Sequence, residues 1–274
     1  MSAQILDTLL PRLRHQPTRR RVRAELAGEV VLDTTDAVYV WEPQRVVPTY
    51  AVPREHVRGE LTPAPATPAP SGPRGFSLPD GQAVLDPTVP FAVHTTGGEA
   101  LSLRAAGQTR DGIGFAPADP DLDGLVLLDV GGFDAWYEED QPVVGHARDP
   151  FHRLDIIPSS RTVRVELDGV VLAESTRARL LFEGVILPVR CYLPADDVRV
   201  PMTPSATRTQ CTYKGEATYW SFDVGGRTVH DLAWTYEHPL PEAAPLAGLV
   251  CFFDERVDVT LDGRPRTRPR TPWA

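Results

Sequence analysis

The segment Val22-Arg23-Ala24-Glu25-Leu26-Ala27-Gly28 returns as Val163-Arg164-Val165-Glu166-Leu167-Asp168-Gly169. At the same spacing Val30 falls on Val171, Ala37 on Ala178, Trp41-Glu42 on Phe182-Glu183, Pro53 on Pro194 and Val57 on Val198. Self-similarity of this kind constrains a fold before any element is assigned, because both copies must accept one architecture. Weaker echoes follow, with Gly98-Glu99-Ala100 on Gly215-Glu216-Ala217 and Trp136-Tyr137-Glu138-Glu139 on Phe252-Phe253-Asp254-Glu255.

Period-two alternation supplies that architecture. Val163, Val165 and Leu167 alternate with Arg164 and Glu166, and Trp220, Phe222 and Val224 alternate with Tyr219, Ser221 and Asp223. Leu232, Trp234 and Tyr236 form a third run, and Asp168-Gly169, Gly225-Gly226 and Asp262-Gly263 supply the turns between such runs. The pattern predicts a mainly β protein of two tandem curved-sheet domains with few short helices. Pro241-Glu242-Ala243-Ala244 reads as one helical turn, interrupted by Pro245.

The expected boundaries are an N-terminal helical and basic segment over 1–20, a first repeat over 21–157, a second over 158–263 and an Arg/Pro tail over 264–274. Ile5, Leu6, Leu9, Leu10 and Leu13 fit one face of a short helix in the first segment. Within the first repeat, residues 62–73 are too proline-rich for a helix or sheet interior and read as an extended loop.

Composition narrows function. A net charge of −9 argues against a nucleic-acid or anionic-membrane partner, which would call for a basic surface. Three cysteines without a Cys-x-x-Cys spacing make neither a disulfide framework nor a four-cysteine zinc site. The expectation is a cytoplasmic protein with no metal and no cofactor, and with a small molecule as its partner. Its oligomeric state is left open.

All 28 basic residues but one are arginine, and the exception is Lys214. Lysine differs from arginine in having a compact ammonium whose pKa falls on burial, so it can serve as a base, a Schiff-base amine or a point-charge clamp. A plainer alternative is an arginine-biased composition with one survivor, paired with Glu216. Cys211, Tyr213, Lys214, Glu216, Tyr219, Trp234 and Tyr236 would give one pocket a thiol, an amine, a carboxylate and an aromatic wall, and that wall would disfavour the ammonium form. Strand alternation would part Lys214 from Cys211 and Tyr213 unless Gly215 introduces a bulge. Glu183 and Arg190 face the same region and read as a structural ion pair. The first copy has His94 and Gly97 where the second has Cys211 and Lys214, which points to the second copy as the bearer of the site.

Several segments together carry a family resemblance: Trp136 to Asp140, Arg148-Asp149-Pro150-Phe151-His152-Arg153-Leu154-Asp155, Ser159-Ser160-Arg161, Pro194 to Val198, Cys211 to Ala217, and Ala233-Trp234-Thr235-Tyr236. They resemble the tandem form of the domain of unknown function family 427, sometimes labelled nucleotidyltransferase-like. The resemblance implies a compact domain similar to the β-tent group, lacking the zinc knuckles of other members, and implies no established reaction. Thr212 stands where the family usually has proline. No Gly-rich phosphate loop precedes a helix, so the nucleotidyltransferase label has no support in these residues.

Other patterns fail on inspection. Asp119 to Gly124 begins like a calcium loop, but Val130 stands where the bidentate glutamate belongs. His146 and His152 near Asp149 and Asp155 give no metal geometry, and there is no Gly-x-Ser-x-Gly elbow. Three readings follow. The first is a domain binding a polar or anionic metabolite through Lys214, the second an enzyme using Lys214 as base or covalent amine tuned by Glu216, the third a structural or partner-binding protein with a vestigial pocket.

Overall fold

A computed structural model of the chain describes residues 8–66, 75–77, 81–184 and 187–271. The chain divides into two compact units, residues 1–150 and 151–274. Each unit contains a seven-stranded and a four-stranded antiparallel sheet, joined by few and short 3-10 turns.

In unit 1 the seven-stranded sheet runs in the order Arg14–Pro17, Val38–Trp41, Thr49–Pro53, Leu125–Leu128, Gln108–Pro117, Gly98–Ala105, Glu60–Pro63. The sheet of unit 2 repeats this order with Leu154–Pro158, Arg179–Glu183, Arg190–Leu193, Val250–Phe252, Arg227–Thr235, Gly215–Val224 and Met202–Cys211. The four-stranded sheets match as well. Gln141–Val143, Ala135–Glu138, Val22–Leu26, Glu29–Thr34 in unit 1 answer Arg264–Pro265, Asp258–Leu261, Val163–Leu167, Val170–Ser175 in unit 2.

The first matching segment shows why the sequence folds this way. Val22–Leu26 and Val163–Leu167 both alternate buried and half-buried residues, and each turns back through a two-residue loop. The loops are Ala27-Gly28 and Asp168-Gly169, with φ of 51° and 78° in both, the left-handed pair that a tight hairpin of this twist requires. Both hairpins also shift register at the same place, between Ala24 and Glu25 and between Val165 and Glu166. The alternation sends Val163, Val165 and Leu167 into a core with Phe222, Leu232 and Phe252, while Val22, Ala24 and Leu26 join Trp41, Tyr50 and Trp136.

The opposite face of each seven-stranded sheet carries a second, smaller cluster. Unit 2 packs Leu181, Tyr192, Trp234, Tyr236, Cys251 and Phe253 there, beneath the 3-10 turn Pro241–Leu246, which runs through Pro245. Unit 1 packs Val40, Ala51, Phe115, Leu122 and Leu127.

The expected boundaries shift in four places. Arg14–Pro17 is not part of a helical segment but a strand paired with Val38–Trp41, because Pro11 ends the helical turn at residues 8–9. Ile5 and Leu6 lie outside the described residues. Leu154–Pro158 likewise belongs to unit 2, as a partner of Arg179–Glu183. Thr62 and Pro63, expected in the proline-rich loop, end the edge strand Glu60–Pro63, where a proline with no N–H does no harm; residues 67–73 of that loop lie outside the described residues.

The tail is tied to unit 2. Arg264–Pro265 pairs with Asp258–Leu261, Arg266 donates to Cys191 Sγ at 3.3 Å and to the Val189 carbonyl at 2.9 Å, and Thr271 donates to Glu255 Oε1 at 2.6 Å.

Strand pairing also corrects the weaker echoes. Ala135–Glu138 and Asp258–Leu261 pair with equivalent strands, so Trp136 answers Val259 rather than Phe252. In the seven-stranded sheets, Gly114 sits between Leu101 and Leu128 as Ala233 sits between Trp220 and Phe252. Counting back from Leu101 and Trp220, Gly98 answers Ala217 and Thr95 answers Lys214. Loops of unequal length between the strands shifted the apparent register.

Candidate functional site

Residues 212–214 do not continue a strand. They form the tight turn of a hairpin in which Cys211 pairs with Gly215, whose φ of 95° is open to glycine at little cost. The turn therefore brings Cys211, Tyr213 and Lys214 together, where an unbroken strand would have parted them. A bond from the Leu240 amide to the Lys214 carbonyl, 3.0 Å long, fixes the turn against the segment leading into Pro241–Leu246.

Lys214 is buried, and its Nζ donates to Oε1 of Glu183, which ends the strand Arg179–Glu183. His152 Nε2 lies 3.1 Å from the same oxygen. The His152 ring stacks on Tyr213, with centroids 3.7 Å apart and planes 14° from parallel. Cys211 lies within the electrostatic reach of the Lys214 ammonium, and Tyr236 within that of Cys211 and Glu183.

The electrostatics oppose the expectation of a neutral amine. Burial lowers the pKa of Lys214, but the Glu183 carboxylate and then Cys211 outweigh it, and the net shift is upward. Burial raises Glu183, yet Lys214 and His152 outweigh that and hold its carboxyl at about 2. The pair is an ammonium and a carboxylate at neutral pH.

The remaining expected site residues divide. Trp234 donates from Nε1 to the Tyr192 hydroxyl at 3.1 Å and packs on Phe253 with ring centroids 4.6 Å apart, so it belongs to the small cluster beneath Pro241–Leu246. Tyr236 is buried in the same cluster, and burial pushes its hydroxyl well above its ordinary pKa. Tyr219 is half-buried at the cluster's margin, with its hydroxyl 2.9 Å from Thr209 Oγ1. Glu216 is exposed and accepts from Gln210 Nε2 at 2.8 Å, because the residue after Gly215 faces outward; it does not pair with Lys214.

Arg190 and Glu183 do not form the expected ion pair. Arg190 makes a two-pronged bridge to Glu255, at 2.8 and 2.6 Å, with its guanidinium 5.5 Å from the Trp234 ring centre. Glu183 is taken by Lys214 and His152 instead. His152 is the site residue that its sequence context concealed, since its partners lie 31 and 61 positions away. Among the described residues no three of His, Cys, Asp and Glu converge as a metal would require.

Unit 1 is not bare at the matching place. Glu42, the residue answering Glu183, is buried and accepts from the Thr95 amide at 3.0 Å, with His94 Nδ1 3.0 Å and Arg45 Nε 3.7 Å from its Oε2. The carboxylate thus recurs in both units with a histidine and a cation, although those partners come from different places in the chain.

Two separate stretches of the chain, residues 14–69 and 155–263, match one protein-family model, described as Domain of unknown function (DUF427). They make up more than half of the sequence, and the chain belongs to this family. Both stretches begin at the first strand of a seven-stranded sheet, Arg14–Pro17 and Leu154–Pro158. No curated protein matches the chain.

Proposed function

We propose that unit 2 binds a small polar metabolite at the node formed by Glu183, Lys214 and His152. The observation carrying this reading is the burial of an ion pair on the chain's single lysine. Such a pair contributes little net stability compared with apolar residues of the same volume, so folding alone gives poor reason to keep it. An ammonium with further N–H donors and an imidazole held by stacking can instead present a fixed pattern of polar groups. Because Glu183 already neutralises Lys214, the ligand favoured is a neutral or singly charged anionic molecule. The three free cysteines fit a reducing compartment, and we place the protein in the cytoplasm.

The catalytic alternative has less support, since a Schiff-base amine or general base must be able to lose its proton near neutral pH. Thermal-shift screening of the full chain against polar metabolites tests the proposal. Hits should stabilise the native protein and lose their effect in Lys214→Met. An unchanged response in Lys214→Met and in Lys214→Arg overturns it. Borohydride with carbonyl metabolites at pH 7 should leave Lys214 unlabelled, and a trapped adduct would favour the enzyme instead.

A further inference from the structure

Arg14–Pro17 and Leu154–Pro158 each end a seven-stranded sheet, and among the described residues no strand pairs with the outer side of either. An open edge is a row of unpaired N–H and C=O groups that templates a further strand unless charge or cover blunts it.

Unit 1 blunts its edge and unit 2 does not. Arg14 pairs with Trp41 as Asp155 pairs with Phe182, so Arg14, His15 and Gln16 hold the places of Asp155, Ile156 and Ile157. Trp41 is 2 % exposed, with the Arg14 guanidinium 5.1 Å from its ring centre and its Nε1 donating to Asp149 Oδ2 at 3.4 Å. In unit 2 Phe182 is 42 % exposed and Ile157 46 %. Phe182 lies opposite Asp155, two residues before Ile157, so the two apolar side chains are diagonal neighbours on one face of the sheet.

The ladder fixes which backbone groups face outward. Pro158 lies opposite Arg179, and the next amide, that of Ser159, donates to the Ala178 carbonyl at 2.8 Å. Alternation along an antiparallel pair then turns Asp155 and Ile157 toward Arg179–Glu183, and leaves the N–H and C=O of Leu154 and Ile156 pointing outward with the C=O of Pro158. A proline in an outward place forfeits no bond within the sheet.

We infer that Leu154–Pro158 pairs with the same strand of a second copy of this chain, antiparallel about a two-fold axis at Ile156. Ile156 then exchanges two hydrogen bonds with the partner's Ile156, and each Leu154 N–H donates to the Pro158 carbonyl across the axis. The two Ile157 side chains become diagonal neighbours, flanked by the two Phe182 rings, in one apolar strip. An axis at Asp155 would set two carboxylates directly opposite each other, which is destabilising. An axis at Ile157 would set Pro158 against Ile156 and lose central bonds for want of the proline N–H. The edge is thus complementary to itself in one register, and the inference makes no use of Glu183, Lys214 or His152.

Sedimentation velocity of the full chain, with residue-resolved hydrogen exchange, tests the pairing. One strand per copy is a small contact, so a reversible dimer should form between about 1 and 500 µM. As it forms, the amides of Leu154 and Ile156 should gain at least roughly tenfold protection, while those of Asp155 and Ile157, bonded within the chain, stay protected throughout. Ile157→Lys sets a charge in the strip, and Ile156→Pro removes the central donor without touching a bond to Arg179–Glu183. Each should raise the dissociation constant roughly tenfold or more. A chain that stays monomeric at the top of that range overturns the inference. So does a dimer whose Leu154 and Ile156 amides exchange as in the monomer, or one that Ile157→Lys leaves equally tight; exchange in the native chain decides even if Ile156→Pro does not fold.

Discussion

Lys214 and Glu183, 31 residues apart in sequence, form an ion pair whose side chains are 9 % and 8 % exposed. Each partner is the main reason that the other keeps its charge in a buried setting, and this makes the pair brittle toward loss of one member. Glu183→Gln leaves an uncompensated ammonium and is expected to destabilise the protein by about 3–5 kcal/mol. The double variant Glu183→Leu/Lys214→Met should recover most of that loss. Denaturant unfolding of the three proteins measures both terms, and a double variant as unstable as the single one would show that the charges are not what couples them.

The same pair sets a pH window. The Glu183 carboxyl falls from 4.5 in the unfolded chain to about 2 when folded, so its contribution is complete above 4.5 and is lost as pH falls toward 2. Lys214 is raised from 10.5, so its contribution is complete below 10.5 and is lost as pH rises through the higher folded value. Stability measured against pH should therefore slope downward on the acid side between 4.5 and 2, and this slope should flatten in Glu183→Leu/Lys214→Met.

Thiol reactivity should follow burial. Burial pushes the Cys191 thiol up to about 11 and Cys251 well above its ordinary value, and both side chains are enclosed. Cys211 is partly exposed and should take up iodoacetamide first at pH 8. Mass mapping that found Cys251 labelled ahead of Cys211 in the native protein would contradict the packing described for the small cluster of unit 2.

Arg266 joins the tail to buried groups, with Nη1 3.3 Å from Cys191 Sγ and 3.2 Å from Asp254 Oδ2. Asp254 is buried, and Arg190 is 3.8 Å away, so removing Arg266 strips the carboxylate of its nearer cation. Arg266→Ala should cost about 1–3 kcal/mol, whereas Arg270→Ala at an exposed position should stay within about 0.5 kcal/mol. Equal effects in the two variants would mean that the tail does not hold unit 2 through this contact.

Much of the fold was legible in the sequence because a half-buried strand writes itself as alternation, and duplication wrote it twice. Val22–Leu26 and Val163–Leu167 needed nothing beyond their own residues and the glycines that follow. The edge strands Arg14–Pro17 and Leu154–Pro158 were hidden, since an edge strand lacks a full apolar face and a nearby proline resembles a boundary. Within the site, the lysine announced itself by being alone of its kind. Its partner did not, because Glu183 is adjacent to Lys214 only through two strands and a turn. Glu216, two residues away, was the nearer carboxylate along the chain and the wrong one in space. His152 was masked for the same reason, and so was the true partner of Arg190, since Glu255 follows the adjacent strand Val250–Phe252 but lies 65 residues further along the chain.

The 3.0 Å bond from the Leu240 amide to the Lys214 carbonyl gives the protein a built-in reporter. Anything that stiffens or loosens the lysine's turn must register in how readily that single proton trades with solvent deuterium. An observer watching residue 240 can thus follow events at the ammonium without labelling it, mutating it or knowing in advance what arrives there.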